Sequence, residues 1–131
     1  MPIKFPSSFS IISDEISQDM PDVRRFLRSY GLSGFELRSM AGRAFKDLTR
    51  EDVVEVAALV KGEGWKIHGC ASPVFKCDID KPAEIREHVE IFKRSIETAK
   101  ALDCDLIRVF TFLRQPTAPD AAKIDRIATH L

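Results

Sequence analysis

Residues 34–40 read GFELRSM, and this stretch decides the fold class because its apolar and polar side chains alternate. Phe35 and Leu37 are apolar, whereas Glu36 and Arg38 are charged, which is the period of two that a β-strand imposes. Parallel strands covered by helices on both faces are apolar throughout. A strand with one charged face therefore indicates the inner wall of a barrel, with its apolar face packed under helices.

The same alternation returns at residues 67–72, IHGCAS, and at residues 107–112, IRVFTF. The side chains predicted to face the interior are Glu36, Arg38, His68, Cys70, Arg108 and Phe110. The side chains predicted to face the helices are Phe35, Leu37, Ile67, Ile107 and Val109. A structure in which Phe35 and Leu37 point away from the helices would refute this assignment.

Working outward, four strand-then-helix units follow one another along the chain. The predicted strands cover residues 9–16, 34–40, 65–71 and 105–113. The predicted helices cover residues 19–30, 49–62, 83–102 and the segment from 120 onward, with a basic loop at 41–47. We predict an α/β fold of four parallel (β/α) units, equal to the N-terminal half of a TIM barrel. Residues 1–131 then form a single half-barrel domain, since a complete barrel needs about 250 residues.

The composition excludes several function classes. The chain has 131 residues, 44% of them hydrophobic and 31% charged, which is typical of one soluble globular domain. Because 20 basic residues balance 20 acidic ones, we expect no nucleic-acid partner. The sequence has no apolar run near the roughly 20 residues that span a bilayer, so we expect no membrane partner and a cytoplasmic location. Cys70, Cys77 and Cys104 are predicted to be reduced thiols rather than disulfide or zinc ligands.

Residues with site chemistry cluster where the predicted strands end, which is where barrels of this kind build their active sites. Carboxylates near several cations suit a small polyhydroxylated or anionic substrate, because acids accept hydrogen bonds from hydroxyls while Arg and Lys bind phosphate or carboxylate. The candidates are Asp14, Glu15, Glu36, Arg38, His68, Ser72, Lys76, Arg108 and Arg114.

Each candidate also has a structural interpretation. Glu36 and Arg38 could pair in an interior salt-bridge layer, and Glu15 could pair with Arg108 across strands. For His68 the structural interpretation, a hydrogen-bonded core histidine, is the more common one, and for Lys76 it is a solvated loop residue. The rings of Phe110 and Phe112 are packing residues in this interpretation and an apolar pocket wall in the functional one.

Four segments in register resemble a known family. They are residues 12–17 (ISDEIS), 34–38 (GFELR), 72–77 (SPVFKC) and 107–112 (IRVFTF). They are similar to the sugar phosphate isomerase/epimerase group of the xylose-isomerase-like TIM barrels, a superfamily that also includes the endonuclease IV enzymes. The resemblance implies a barrel whose reaction is proton transfer between adjacent carbons of a sugar or sugar phosphate.

The resemblance also bounds which residues can be assigned. Metal-dependent members bind one divalent ion, manganese, magnesium or zinc, through acidic residues and a histidine of strands five to eight, and two of the glutamates act as acid and base. Those positions have no counterpart among the four units predicted here, so we expect no cofactor in this chain and name no metal ligand or catalytic residue. The substrate-binding residues that the resemblance implies are Glu36, Lys76, Arg108, Glu15 and Arg114.

The leading hypothesis is therefore the N-terminal half of a sugar isomerase or epimerase barrel, inactive by itself, with a sugar or sugar phosphate as ligand. The alternative is a non-catalytic half-barrel that acts as an oligomerisation or binding module. An endonuclease IV-like function is disfavoured by the zero net charge and by the lack of the histidines that a multi-zinc site needs. Open strand edges predict self-association or pairing with a second half-barrel.

Overall fold

The computed structural model describes residues 9–131, and its central feature is a parallel sheet packed against helices. The helices are α1 (Met20–Tyr30), α2 (Arg50–Glu63), α3 (Pro82–Ala101) and α4 (Ala121–His130). The strands are β1 (Gly34–Leu37), β2 (Ser39–Met40), β3 (Arg43–Ala44), β4 (Lys66–Ala71) and β5 (Ile107–Arg108). Strands β1, β4 and β5 pair in that order, all in parallel, as the first half of a TIM barrel requires.

The first predicted strand is much shorter than expected. Of residues 9–16, Ile12 alone bridges Glu36 of β1, in parallel, and the amide of Glu36 donates to the carbonyl of Ile11 at 2.8 Å. Ser13–Glu15 then forms a 3-10 turn instead of continuing the strand. The sequential order of the four parallel segments is retained, but the count of four full βα units is matched only roughly.

The last predicted strand, residues 105–113, is also shortened, to the two residues of β5. Beyond Arg108 the chain leaves the sheet and runs beside the loop that follows β4. The Phe110 amide donates to the Val74 carbonyl at 2.8 Å, and the Leu113 amide donates to the Cys77 carbonyl at 2.9 Å. This segment ends its extended course at Phe112, whose φ of 69° bends the backbone in a way no strand allows.

The helix ends follow local signals in the sequence. Gly31 ends α1 with a φ of 65°, in the left-handed conformation that glycine adopts without a Cβ penalty. Thr49 caps α2 by accepting a hydrogen bond from the Asp52 amide, and the Asp52 carboxylate accepts one from the Thr49 amide. At the start of α4, the side chain of Asp120 accepts a hydrogen bond from the Lys123 amide.

The basic segment 41–47, predicted as a loop, carries structure of its own. β2 and β3 form a two-stranded antiparallel hairpin in which Ser39 pairs with Ala44 and Met40 with Arg43. Ala41 and Gly42 make its turn with φ values of 49° and 74°, the positive values that a tight two-residue hairpin needs. Phe45–Asp47 follows as a 3-10 turn with Phe45 buried.

The main core lies between the sheet and helices α1 to α3. Phe35 and Leu37 of β1 are fully buried there with Val23 and Leu27 of α1 and Val56 of α2. The predicted outward parity of β1 is therefore confirmed. Ile67 and Ile107 also pack on this core, as predicted, but Val109 does not and is 37% exposed. The prediction for Val109 is wrong because the chain has already left the sheet at that residue.

A bulge in β4 changes the predicted parity of that strand. Phe35 pairs with Ile67, but the next residue, Glu36, pairs with Gly69, so His68 is the extra residue. The shift places Cys70 on the helix-facing side, where it is fully buried in the main core. The inward assignment of Cys70 is thus wrong, because a one-residue bulge exchanges the two faces for everything that follows it.

A second, smaller apolar cluster lies beneath the loops that follow β4 and β5. Its members are Val74, Phe75, Cys77, Ile79, Ile85, Ile91 and Phe112. Ile127 of α4 packs against it, while Lys123 and Arg126 of α4 pair with Asp80 at 2.9 and 2.6 Å. Within residues 9–131, no helix combines the length and the apolar character needed to cross a membrane.

Candidate functional site

The candidate site lies at the carboxyl ends of β1, β4 and β5, on the side of the sheet away from the main core. Loop 72–81 follows β4, and segment 109–120 follows β5. Together with the turn Ser13–Glu15 they carry the polar residues singled out from the sequence. The structure gathers the candidates into two groups, Lys76 with Arg108 and Ser72, and Arg38 with Asp14 and Glu15. It holds Glu36, His68 and Arg114 apart from both groups.

Lys76 and Arg108 meet at the ring of Phe110. The Arg108 guanidinium carbon lies 4.7 Å from the ring centroid, and the Lys76 ammonium nitrogen lies 5.5 Å from it. Both distances are within the range of a cation–π interaction, which holds a cation over the negative face of an aromatic ring. Among residues 9–131, neither cation has a carboxylate within ion-pair distance.

Ser72 fixes the position of Arg108. Its buried hydroxyl donates to the Arg108 carbonyl at 2.6 Å, and one Arg108 guanidinium nitrogen donates to the Ser72 carbonyl at 3.0 Å. The Ser72 hydroxyl also accepts a hydrogen bond from the Val74 amide at 3.3 Å. The loop after β4 is therefore tied to β5, while most of the guanidinium donors stay available for a ligand.

Glu36 lies on the inner face of β1 beside Gly69. A Cβ added at Gly69 would meet the Glu36 Cγ at 3.5 Å, so this glycine leaves open the space next to the carboxylate. In the described part of the chain, the Glu36 carboxylate has no hydrogen-bond or ion-pair partner. An inward, half-buried carboxylate without a partner is suited to accept hydrogen bonds from a ligand.

Arg38 does not pair with Glu36. Its guanidinium instead binds the Asp14 carboxylate at 2.7 Å and the Glu15 carboxylate at 2.6 Å. These hydrogen bonds hold the pKa of Arg38 above its ordinary value. The suggested pairs Glu36–Arg38 and Glu15–Arg108 are thus both replaced, because the 3-10 turn brings Asp14 and Glu15 over the end of β1.

Arg114 lies apart from Lys76 and Arg108. It lines a cleft of about 590 Å³ between segment 111–119 and α4, and neither of those two cations lines that cleft. The other walls are largely apolar and include Ile79, Phe112 and Ile127. The structure therefore places Arg114 in a cleft that is separate from Lys76 and Arg108.

The histidines and cysteines hold structural positions. His68 makes a hydrogen bond through Nδ1 to the Ser10 hydroxyl at 2.9 Å, and His88 accepts one from the Phe75 amide at 3.0 Å. All three cysteines are free and buried. Burial, together with the neighbouring Cys104 thiol, raises the pKa of Cys70, which keeps it protonated and unreactive.

The architecture and the sequence agree with one family. Residues 24–131, which include β1, β4 and β5, match the family model of the xylose isomerase-like TIM barrel. The chain belongs to this family. No curated protein matches the sequence.

The described part of this xylose isomerase-like barrel does not fit the metal that relatives use. No three His, Cys, Asp or Glu side chains among residues 9–131 lie close enough together to hold a metal ion. Of the acidic residues in this part of the chain, Glu36 is the best placed to coordinate a metal. A single carboxylate is fewer than the three or more protein ligands typical of a catalytic metal site. No step of the chemistry is therefore assigned to a metal bound by these residues.

Sequence reasoning missed the backbone strain in this end of the barrel. Phe75 and Phe112 both have positive φ, 58° and 69°, although bulky residues rarely adopt such values. Their rings stack with centroids 5.0 Å apart, and both residues are buried. Stacking in the second core maintains the strain, which shapes the loops that carry Lys76 and Arg114. No local sequence signal marks these residues, because phenylalanine itself favours extended backbone.

Proposed function

We propose that this chain supplies the substrate-binding wall of a barrel that isomerises or epimerises a sugar or sugar phosphate. One observation carries the proposal: within residues 9–131, a carboxylate without a partner, Glu36, and two cations without carboxylate partners, Lys76 and Arg108, lie at the carboxyl ends of one parallel sheet and in the loop after β4. Family membership supports the same location, because TIM-barrel active sites lie at that end.

In the proposed reaction a proton is removed from the carbon next to a carbonyl; it returns to the former carbonyl carbon in an isomerisation and to the opposite face of the same carbon in an epimerisation. The described residues bind and orient the substrate: Glu36 accepts hydrogen bonds from sugar hydroxyls, and Lys76 and Arg108 donate to its oxygens. A divalent metal and the acid and base that move the proton are provided from outside residues 9–131. On this proposal the chain binds sugar but does not convert it.

Binding of a neutral sugar to the full chain tests the proposal. We expect ribose to shift amide resonances of β1, β4 and β5 in ¹⁵N-edited NMR spectra. The variant Glu36→Gln should weaken ribose binding at least fivefold, and Glu97→Gln, an exposed site on α3, should change it less than twofold. Absence of ribose binding, or equal effects of the two variants, would contradict the proposal.

A separate assay tests the division of labour. Ribose and the chain are incubated with Mn²⁺, and ribulose formation is followed by NMR. We expect no conversion above that in buffer with Mn²⁺ alone. Conversion that requires the chain would show that residues of this chain also move the proton.

A second candidate function, an oligomerisation module, is favoured by the free edge of the sheet. β5 pairs with β4 on one side, and in residues 9–131 no strand pairs with its other side. Leu106 is 61% exposed and Val109 37% exposed along this segment. An unpaired edge flanked by exposed apolar residues is a template for pairing with another strand.

Sedimentation velocity at micromolar concentrations tests this second candidate. We propose that the chain forms a dimer in which β5 of one copy lies beside the Ile12 segment of the other. The variant Val109→Lys should shift the boundary toward the monomer, whereas Val54→Lys, an exposed site on α2, should not. A monomer across the whole concentration range would remove the candidate.

A further inference from the structure

Three pairs of cations converge within residues 9–131, and two of them share a carboxylate. Arg24 and Arg28 both bind Glu63, the latter at 2.8 Å. Lys123 and Arg126 both bind Asp80, at 2.9 and 2.6 Å. In each case one anion offsets the repulsion between the two positive side chains.

The third pair, Lys76 and Arg108, converges on an aromatic ring instead of a carboxylate. The face of Phe110 attracts both cations but carries no net charge, so it offsets less of their mutual repulsion than an anion does. Ser72 and the hydrogen bond from the Phe110 amide to the Val74 carbonyl hold the arrangement in place. The pair is therefore preorganised around an anion that the described residues do not supply.

We infer that Lys76 and Arg108 form a phosphate subsite, so that the ligand is a phosphorylated sugar whose phosphate lies between these two cations. The inference rests on the proposed function, because it places the phosphate in the same inward site as Glu36. A phosphate dianion matches two positive charges and has enough oxygens to accept from both side chains. A carboxylate needs only the fork of one arginine.

The position of Glu36 is consistent with a sugar of ordinary length. Glu36 pairs with Gly69, and Arg108 pairs with Ala71 two residues further along β4. From the usual spacing of strands and residues, the Cα atoms of Glu36 and Arg108 are about 12 Å apart. A small sugar phosphate bound between these two side chains would have its hydroxyls at Glu36 and its phosphate at Arg108.

Calorimetric titration of the full chain with four probes tests the inference: ribose 5-phosphate, ribose, ribonate and inorganic phosphate. We expect ribose 5-phosphate to bind at least tenfold more tightly than ribose or ribonate. Lys76→Met and Arg108→Met should each weaken ribose 5-phosphate at least tenfold and should weaken ribose by a clearly smaller factor, because ribose loses only hydrogen bonds to a neutral oxygen. Lys93→Met and Arg94→Met, exposed sites on α3, are the matched controls and should change neither probe more than twofold.

Phe110→Leu provides a test that retains both cations and an apolar side chain. It should weaken ribose 5-phosphate binding by a smaller factor than either charge variant, with an unchanged circular dichroism spectrum. If Arg108→Met fails to fold, Lys76→Met decides the matter alone, because Lys76 is exposed in a loop.

The outcomes separate this inference from the proposed function. Equal affinity for ribose and ribose 5-phosphate overturns the phosphate subsite and leaves sugar binding intact. Tighter binding of ribonate than of ribose 5-phosphate overturns it in favour of a carboxylate site. A further outcome is that inorganic phosphate binds through Lys76 and Arg108 as tightly as ribose 5-phosphate does, and that ribose does not bind. In that case the phosphate subsite stands and the sugar function fails. Binding of none of the four probes overturns both.

Discussion

Along β1, Arg38 is bonded to the carboxylates of Asp14 and Glu15, whereas at β5 Arg108 lies against Phe110 with no carboxylate partner among residues 9–131. Arg38 directly follows β1 and Arg108 ends β5, and β4 lies between these two parallel strands of one sheet. The charge of Arg38 is compensated inside the fold and serves its stability. The charge of Arg108 has no carboxylate partner in the described part of the chain and is available to a ligand. Charge alone therefore does not mark a binding residue in this sheet; the lack of an internal partner does.

Burial also distinguishes β1 from the segment after β5. β1 is buried by α1 and α2, whereas the segment after β5 is partly exposed. Phe35→Ala should therefore lower the free energy of unfolding by about 3–5 kcal/mol, since it leaves a large cavity in the main core. Val109→Ala should change it by about 0.5 kcal/mol or less. Urea denaturation measures both, and similar losses would refute the contrast.

The next-largest expected effect on stability comes from Gly34, where the backbones of β1 and β4 approach closely. A Cβ at Gly34 would lie 2.0 Å from the Lys66 carbonyl oxygen and 2.8 Å from the His68 ring, whereas one at Gly69 would meet its nearest atom at 3.5 Å. Gly34→Ala should cost about 1–3 kcal/mol through overpacking, and Gly69→Ala about 0.5 kcal/mol or less. Thermal unfolding of the two variants provides the measurement. A tolerated Gly34→Ala would mean that β1 and β4 are further apart than described.

Asp52 allows a pH test of the compensated charges. Hydrogen bonds from Arg43 and from Thr49 hold the pKa of Asp52 below its ordinary range. Because the folded pKa is lowered, the stabilisation is complete above the unfolded pKa of about 4 and is lost as the pH falls toward the folded value. Asp52→Asn should cost about 1–2 kcal/mol at pH 7, mainly because it removes the negative charge that accepts two hydrogen bonds from Arg43.

The difference between the wild type and Asp52→Asn should shrink as the pH falls below about 4. Denaturation midpoints between pH 2 and pH 7 measure it. Glu51→Gln, an exposed site in the first turn of the same helix, is the control and should lose less stability. A difference that stays constant down to pH 2 would contradict the assigned role of the Asp52 carboxylate.

The smallest expected effect is the difference in stability between a variant of Arg38 and a variant of Lys76. Arg38→Met removes the pairs with Asp14 and Glu15 and should cost about 1 kcal/mol of stability. Lys76→Met removes only a contact with the Phe110 ring and should cost about 0.5 kcal/mol or less. Urea midpoints test the order. A larger loss for Lys76→Met would show that the β5 side is also built for stability.

Much of the local structure could be predicted from the sequence. Gly31 and the Thr49 cap mark helix ends, because glycine conformation and capping depend on neighbouring residues in the chain. The alternation of Phe35 and Leu37 with Glu36 gave the correct faces of β1 for the same reason. The order of parallel strands and the family also followed from these patterns and from the resemblance.

The partners of the site residues depended on the tertiary structure. Glu15, for which pairing with Arg108 was one structural alternative, pairs with Arg38. Cys70 faces the main core because a bulge at His68 shifts the register. Lys76 reaches Phe110 only because loop 72–81 folds back along segment 109–113.

The sequence by itself determined the periodicity, the helix ends and the residue types at the carboxyl ends of the strands, since these depend on contacts within a few residues. Only the tertiary structure decided which charges are compensated. Ion pairs and bulges join segments that are distant in the chain, as Ser72 and Arg108 are, and their geometry depends on the register of strands and the course of loops. Arg38 has carboxylate partners and Arg108 has none among residues 9–131, and this difference is therefore a property of the fold. The alternating pattern of the sequence predicts the same inward position for both residues.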